Sequence, residues 1–210
     1  MRGVGTPFTF PQRYTTWAAL ATALNLGKWK LQADVLGTFV IEKVRNNVEA
    51  PDKSEFSPAL IVGYKPFSNQ DLNLRAFYKR IFRLPTFNDL YYAQIGFSQL
   101  NPEFTNQFNI GGSYQKTFKT GMIDRIALQM DVYYAAITDK IIAAPTGSSF
   151  RWMMTNMGKV ESKGVDVSTA VSGHVGLLKL HTNLAYSFTK AQDFTKINGK
   201  KLSSYGDQIP

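Results

Sequence analysis

Cysteine is absent from this chain of 210 residues, and no stretch of 18 apolar residues occurs in it. The first absence excludes a disulfide scaffold, a cysteine-ligated zinc finger and a thiol enzyme, and the second excludes a membrane-spanning helix. Long basic runs are missing too: 24 Lys and Arg against 15 Asp and Glu give a net charge of +9, but the basic residues are spread thinly, unlike the blocks typical of nucleic-acid-binding segments. With 15 Phe, 10 Tyr and 3 Trp, the chain has too many apolar rings to remain disordered.

Histidine is scarce, which leaves little material for catalysis. The two histidines, His174 in a predicted turn and His181 on a polar strand face, have no partners at the spacing of a metal site. The one Gly-rich pair, Gly111-Gly112, lacks the lysine and helix of a phosphate-binding loop. The sequence therefore predicts no enzymatic activity, no catalytic residue, no metal site and no cofactor.

Alternation of apolar and polar residues is the strongest pattern in the chain. Leu178, Leu180, Leu184 and Phe188 occupy alternate positions, which is the period of a β-strand. The same alternation recurs at residues 30–39, 58–64, 72–79, 107–114, 126–135 and 164–171. Residues 15–25 fit either a further strand or a short helix, so the sequence predicts an all-β fold of about eight antiparallel strands.

Short and long connections alternate between these strands. Tight turns are predicted at residues 26–28, 68–71, 119–121 and 172–176, and longer connections at roughly 45–55, 84–102, 138–158 and from 191 onward. Long loops at one end only are typical of outer-membrane barrels, which have short periplasmic turns and long extracellular loops. By this count both chain ends lie outside the cell, whereas a complete bacterial barrel begins and ends in the periplasm, so we expect a fragment of a larger barrel.

The two faces of the predicted strands favour a membrane barrel over a soluble sandwich. A sandwich also alternates, so alternation by itself leaves both folds open. The second face carries charged residues suited to a wet lumen, namely Lys30, Asp34, Arg75, Lys79, Asp131, Asp166, Lys179 and His181. Aromatic residues suited to an interfacial girdle lie near strand ends, namely Phe39, Tyr78, Tyr134 and Phe188.

Two paired motifs are more specific than the alternation. The first pair is Arg83-Leu84-Pro85-Thr86-Phe87-Asn88-Asp89-Leu90-Tyr91-Tyr92 and, some ten residues later, Leu100-Asn101-Pro102-Glu103. The second is Asn156-Met157-Gly158 followed by Gly164-Val165-Asp166, preceded by Tyr133-Tyr134. Together they resemble the receptor barrel of TonB-dependent outer-membrane transporters, over roughly residues 14–210. The resemblance implies a partial antiparallel transmembrane β-barrel, with about eight of the family's 22 strands.

Several residues of these motifs also determine the local backbone structure. Pro85 lacks an N–H and ends a strand, while Asn88 and Asp89 favour a turn. Glycines such as Gly111 and Gly164 permit sharp curvature or the close approach of another backbone. The motifs therefore predict barrel architecture at least as much as ligand contact.

The resemblance further implies a location and a function. It implies the outer membrane of a Gram-negative bacterium and uptake of a scarce, bulky nutrient such as an iron–siderophore, haem, cobalamin or a glycan. The implied partners are outer-membrane lipid, that ligand and the TonB complex, with no nucleic acid among them. TonB acts through a plug domain, which residues 1–210 lack, so we interpret residues 1–210 as part of the barrel domain, near its strands 12 to 19.

Two predicted extracellular loops supply the candidate ligand contacts. Their aromatic and basic composition suits an anionic or ring-bearing ligand. The candidates are Arg83, Asn88, Asp89, Tyr91, Tyr92, Phe150, Arg151, Trp152 and Met153. The alternative interpretation is a small β-barrel or a soluble β domain that acts in adhesion or carbohydrate binding.

Overall fold

Eight antiparallel strands form one sheet in which each strand pairs with the next along the chain. The computed structural model describes residues 10–46, 48–92, 95–146, 151–197, 200–201 and 206–208. The strands are β1 (Gln12–Leu26), β2 (Trp29–Lys43), β3 (Lys53–Tyr64), β4 (Asp71–Arg83), β5 (Glu103–Thr117), β6 (Ile123–Thr146), β7 (Arg151–Val175) and β8 (Leu178–Asp193). The predicted all-β antiparallel fold is confirmed, and residues 15–25 belong to a strand and not to a helix.

Three smaller elements lie outside this sheet. The helix α1 (Phe87–Tyr91) follows β4, and β9 (Lys196–Ile197) pairs with β10 (Lys200–Lys201) beyond β8. Within the described ranges, no helix has both the length and the apolar character needed to cross a membrane.

Tight connections lie at one end of the sheet, which we call the turn end. Gly27, Gly121 and Gly176 there have positive φ angles of 59°, 106° and 60°, a region that residues with a Cβ rarely enter. The β7–β8 turn is shorter than predicted, because β7 continues to Val175 and only Gly176 and Leu177 separate the strands. The β2–β3 and β4–β5 connections are long and lie at the opposite end, which we call the loop end.

The prediction of a loop at residues 138–158 is wrong, because most of this segment is a paired extension of β6 and β7. Alternation is interrupted at Asp139, which has a positive φ of 54° and lies where the register between the two strands shifts. Such a bulge changes which face the following side chains occupy, so the period-two signal disappears although the strands continue. The extended hairpin passes beyond the neighbouring strands β5 and β8.

A one-turn helix, α1, replaces the turn predicted at Asn88 and Asp89. The Thr86 hydroxyl accepts a hydrogen bond from the Asp89 N–H at 3.2 Å, and the Asp89 carboxylate accepts one from the Thr86 N–H at 2.8 Å. This reciprocal capping box satisfies two backbone donors that would otherwise lack partners. Pro85 has the predicted effect, since β4 ends at Arg83.

Cross-strand register separates the sheet into an apolar outer face and a polar inner face. One outer-face row of directly paired residues is apolar in all eight strands, namely Leu24, Leu31, Val62, Ala76, Ile110, Val132, Val165 and Phe188. The adjacent inner-face row is Asn25, Lys30, Gly63, Arg75, Gly111, Asp131, Asp166 and Ser187. Outer-face side chains such as Leu184 and Ile110 remain about 70% exposed, so the described protein leaves this apolar face uncovered.

Candidate functional site

The connections at the loop end pack around a small buried core, which we call the rim cluster. Its buried members are Ala50, Leu90, Tyr91, Leu100 and Ile141, and Val44 and Met154 pack against them. These residues come from the β2–β3 connection, the β4–β5 connection and the extended β6–β7 hairpin. Because apolar burial holds the three together, the loops have fixed positions relative to one another.

Arg83 and Glu103 form a bidentate ion pair at the base of the β4–β5 connection. The Arg83 Nε lies 2.9 Å from Glu103 Oε2, and its Nη2 lies 2.8 Å from Oε1. The same Glu103 oxygen accepts a hydrogen bond from the Ile141 N–H at 2.6 Å, and Asp89 lies 3.7 Å from Arg83 Nη1. Paired charge-assisted hydrogen bonds are strong and directional, so this pair joins β4, β5 and β6.

Asp89 and Tyr91, two of the predicted ligand contacts, are buried. Asp89 caps α1, and the Tyr91 hydroxyl accepts a hydrogen bond from the Ala50 N–H at 3.1 Å. Burial raises the pKa of the Tyr91 phenol above its ordinary value, so the ring stays neutral. In this structure both side chains position the β4–β5 connection.

Arg13 attaches the first strand to the same connection. Its guanidinium lies 2.5 Å from a carboxylate oxygen of the buried Glu42, donates to the Pro85 carbonyl at 2.7 Å and covers the Phe87 ring at 5.0 Å. Partners 29 and 72 residues away in the chain leave no local pattern in the sequence. Arg13 is therefore a structural residue of the site that sequence analysis missed.

Asn156 joins the extended hairpin to the segment before β5. Its side chain accepts a hydrogen bond from the Asn101 N–H at 2.7 Å and donates to the Asn101 and Asp139 carbonyls at 2.9 and 2.7 Å. Two residues later, a Cβ on Gly158 would lie 2.5 Å from the Lys140 Cβ. The Asn-x-Gly motif is thus explained by contacts within the rim.

The exposed candidates are the ones that a ligand at the loop end can reach. The Asn88 side chain is exposed, and Tyr92 and Trp152 are 59% and 52% exposed. Met153 is half-buried, only the backbone of Arg151 is described, and Phe150 lies outside the described residues. Ligand contact by the nine candidates stays a prediction.

An ion pair on the inner face crosses from β4 to β6 above a glycine of β5. The Arg75 guanidinium lies 2.6 and 2.8 Å from the two carboxylate oxygens of Asp131. Gly111 is the residue between them in the register, and a Cβ there would lie 2.1 Å from Asp131 Oδ1. Gly111 therefore provides the space through which the two side chains meet.

The same arrangement recurs one row away. The Tyr133 ring from β6 covers Gly164 of β7, where a Cβ would lie 2.5 Å from the ring carbon that carries the hydroxyl. The Tyr133 hydroxyl then reaches the Thr189 hydroxyl of β8. The sequence predicts that these glycines permit curvature or close approach, and each lies under a side chain that spans three strands.

The inner wall of β1 to β4 is concave. A cavity of about 820 Å³ is lined mainly by inner-face side chains, among them Trp17, Asp34, Thr38 and Lys79. This part of the sheet therefore curves toward its inner face, as the wall of a barrel does.

The two histidines have simple hydrogen-bond partners. His174 Nδ1 lies 2.7 Å from an Asp124 carboxylate oxygen, and His181 Nδ1 lies 3.1 Å from the Ser172 hydroxyl. Across the part of the chain that the structure describes, no three His, Asp or Glu side chains gather as a metal site would require.

Comparison with known proteins finds a curated relative and solved structures of similar fold. The chain is 29% identical over 86 residues to the vitamin B12 transporter BtuB of Vibrio vulnificus (strain YJ016), an alignment that covers 41% of this chain and 13% of that protein. The FrpB iron transporter of Neisseria meningitidis (F3-3 variant) superimposes with a TM-score of 0.67 at 19% identity over 95% of this chain. The apoprotein form of its F5-1 variant gives 0.64 at 16% identity over the same share.

The chain spans only part of the length of its relatives. It covers 29% of the length of either FrpB chain. A family model for the β-barrel of TonB-dependent receptor-like proteins, in contrast, matches residues 3–210, and this match includes every strand, both motif pairs and the rim cluster. The sheet of eight consecutive antiparallel strands with an apolar outer face agrees with that match, and the chain belongs to the TonB-dependent receptor family, in the β-barrel domain.

Proposed function

We propose that this chain forms part of the wall and external loops of an outer-membrane transporter that takes up a bulky nutrient with energy supplied through TonB. The observation that supports it best is the register, which gives eight strands one apolar outer face and one polar inner face. An apolar outer face of this kind is suited to contact with lipid. Ligand capture, uptake and TonB contact are proposed for the whole protein, of which this chain is the part described.

In this proposal the rim cluster keeps the external loops in fixed positions before a ligand binds. The ion pair of Arg83 with Glu103 and the hydrogen bonds of Asn156 fix the loop bases, so little conformational entropy is lost when a ligand binds. Asn88 and Tyr92 are exposed on the β4–β5 connection and Trp152 on the extended β6–β7 hairpin, and these three are the proposed contacts. No covalent step is part of this function.

The proposed ligand is a metal chelate or a cobalamin. The relatives support this choice, because one is named a vitamin B12 transporter and the other an iron transporter. Exposed aromatic rings such as Tyr92 and Trp152 also offer flat apolar surfaces on which a large conjugated ligand packs well. A glycan, which has no conjugated ring system, is the weaker candidate on the same surface.

Sidedness is the first test of the function. A peptide tag inserted between Pro51 and Asp52 of the full-length protein should be labelled on intact cells, because the β2–β3 connection lies at the loop end. A tag beside Gly121, at the turn end, should be labelled only after the outer membrane is permeabilised. The reverse pattern, or labelling of both tags in a soluble fraction, would contradict the proposal.

Ligand binding is the second test. Full-length protein titrated with cyanocobalamin, a ferric siderophore and haemin should bind one of the three, and Trp152→Ala should weaken that binding about tenfold, as loss of an aromatic anchor that the ligand buries does. Trp29→Ala is the control, because Trp29 stacks on Tyr64 at the turn end with ring centroids 4.3 Å apart. Equal losses in both variants would remove Trp152 from the ligand site.

A further inference from the structure

The inner wall of β1 to β4 carries two opposite charges that do not form an ion pair. Asp34 of β2 and Lys79 of β4 lie in one inner-face row, with Ala59 of β3 between them in the register. The ion pair of Arg75 with Asp131 also spans two strands, which is about 10 Å at about 4.8 Å per strand. Lys79, in contrast, has no ion-pair partner among the described residues, so its charge and that of Asp34 stay separate.

One oxygen of the Asp34 carboxylate lacks a hydrogen-bond partner. Its Oδ2 accepts a hydrogen bond from the Gln32 side chain at 2.9 Å, whereas Oδ1 is shielded from solvent and has no partner among the described residues. The neighbours of Asp34 in its row are Ala21 and Ala59, whose methyl groups donate no hydrogen bond. Because an unpaired carboxylate oxygen in such surroundings is costly, Asp34 is suited to bind a cationic group that donates to Oδ1.

Both charged side chains line the inner-wall cavity of about 820 Å³. This volume lies within the range of about 300–1,000 Å³ that small-molecule sites occupy. Trp17, Leu36 and Ile61 line the same cavity, and the Trp17 side chain is 65% exposed, so an apolar surface is available beside the two charges. Apolar walls with a few polar groups at fixed positions are typical of a ligand site.

We propose that this cavity binds an α-amino-acid group, with its ammonium on Asp34, its carboxylate on Lys79 and its side chain against Trp17. A cation by itself would leave Lys79 without a partner, and an anion would leave Asp34 Oδ1 without one. A zwitterion gives each of them a charge-assisted hydrogen bond, and the small Ala59 side chain between them leaves room for it. The inference rests on the proposed function, since it takes the amino-acid group to be part of the transported ligand, and a metal chelate can carry such a group.

The test uses the full-length protein in non-ionic detergent and measures binding by isothermal titration calorimetry at about pH 6, where an α-amino group is protonated. The probes are L-phenylalanine, N-acetyl-L-phenylalanine, which lacks the ammonium, and L-phenylalaninamide, which lacks the carboxylate. We expect wild type to bind phenylalanine about tenfold more tightly than either derivative, because each derivative loses one charge-assisted hydrogen bond.

Each variant should remove the discrimination at one end of the ligand. D34N should weaken phenylalanine binding about tenfold and leave N-acetylphenylalanine binding unchanged, whereas K79Q should weaken phenylalanine binding about tenfold and leave phenylalaninamide binding unchanged. W17A should weaken the binding of all three probes by about two- to tenfold, because they share the aromatic ring. The control K65Q/D71N removes an exposed ion pair of 3.3 Å at the turn end and should bind all three probes normally.

Three results would overturn this site: equal binding of the three probes by wild type, an equal loss of all three in D34N, or no binding of phenylalanine at millimolar concentration. The last result would mean that another part of the full-length protein fills the cavity. The sidedness of the inserted tags is scored separately. A reversed labelling pattern contradicts the proposed function, whereas the expected sidedness without discrimination among the probes contradicts this inference alone.

Discussion

At the scale of single residues, side chains reach across strands by passing over glycine. Arg75 and Asp131 meet above Gly111, and Tyr133 covers Gly164. Each contact links three strands, so it opposes both sliding and separation of the ladder. A glycine in a strand interior normally weakens it, and here the long-range contact offsets that cost.

The Gly111 position tests this explanation directly. Gly111→Ala should lower the free energy of unfolding by about 1–3 kcal/mol, because the new methyl group overlaps the Asp131 carboxylate and must displace it from Arg75. Gly63→Ala is the matched control in the same inner-face row, since its Cβ would lie 3.6 Å from the Lys30 Cβ, an ordinary contact. Urea unfolding of the full-length protein from liposomes measures both variants. Equal effects would show that the space above Gly111 does not matter.

At the scale of elements, the rim joins loops that are distant in the chain. The β4–β5 connection and the β6–β7 hairpin meet through Asn101, Asn156 and the Met154 N–H, which donates to the Ile95 carbonyl at 2.7 Å. One of these contacts, between Met154 and Ile95, is backbone to backbone. The Asn156 amide makes the two hydrogen bonds to Asn101 and a third to the Asp139 carbonyl within the hairpin.

Replacing Asn156 should therefore loosen the hairpin while the sheet persists. Asn156→Ala removes the solvent-exposed hydrogen bonds to Asn101 and Asp139, at a cost of about 0.5–1.5 kcal/mol, and we expect faster amide hydrogen exchange in residues 97–102, 139–146 and 151–156. Asn88→Ala, an exposed change on the same rim, should leave exchange there unaltered. Unchanged exchange in Asn156→Ala would mean that the rim cluster by itself holds the hairpin.

At the scale of the whole molecule, the environment of the outer face decides which substitutions are tolerated. Leu184 lies in the middle of the apolar part of β8 and is 71% exposed, whereas its neighbour Asn183 points to the inner face. In the proposed membrane placement Leu184 faces lipid and Asn183 faces water, so the two adjacent positions require side chains of opposite polarity.

Arginine substitutions measure that difference. Leu184→Arg should reduce the free energy of folding into liposomes by about 2–4 kcal/mol, and Leu178→Arg, at the turn end, by about 0–1 kcal/mol. Asn183→Arg should cost far less than Leu184→Arg, because its side chain enters the wet interior. If Leu184→Arg and Asn183→Arg are equally damaging, the outer face packs against protein and the chain is not a membrane wall.

The sequence by itself determined β2 to β8, their two faces and the end of the sheet at which the tight turns lie, because these depend on period two and on local glycine conformation, but it left residues 15–25 open between strand and helix. It failed where the period breaks: at Asp139 a bulge conceals the extension of β6 and β7, and after Thr86 a helix of one turn is too short to show a helical period. Only the tertiary structure decided that Asp89 and Tyr91 are buried and that Arg13 and Glu103 join distant segments. Those contacts arise when eight strands pair in one register, and no short window of sequence contains both partners.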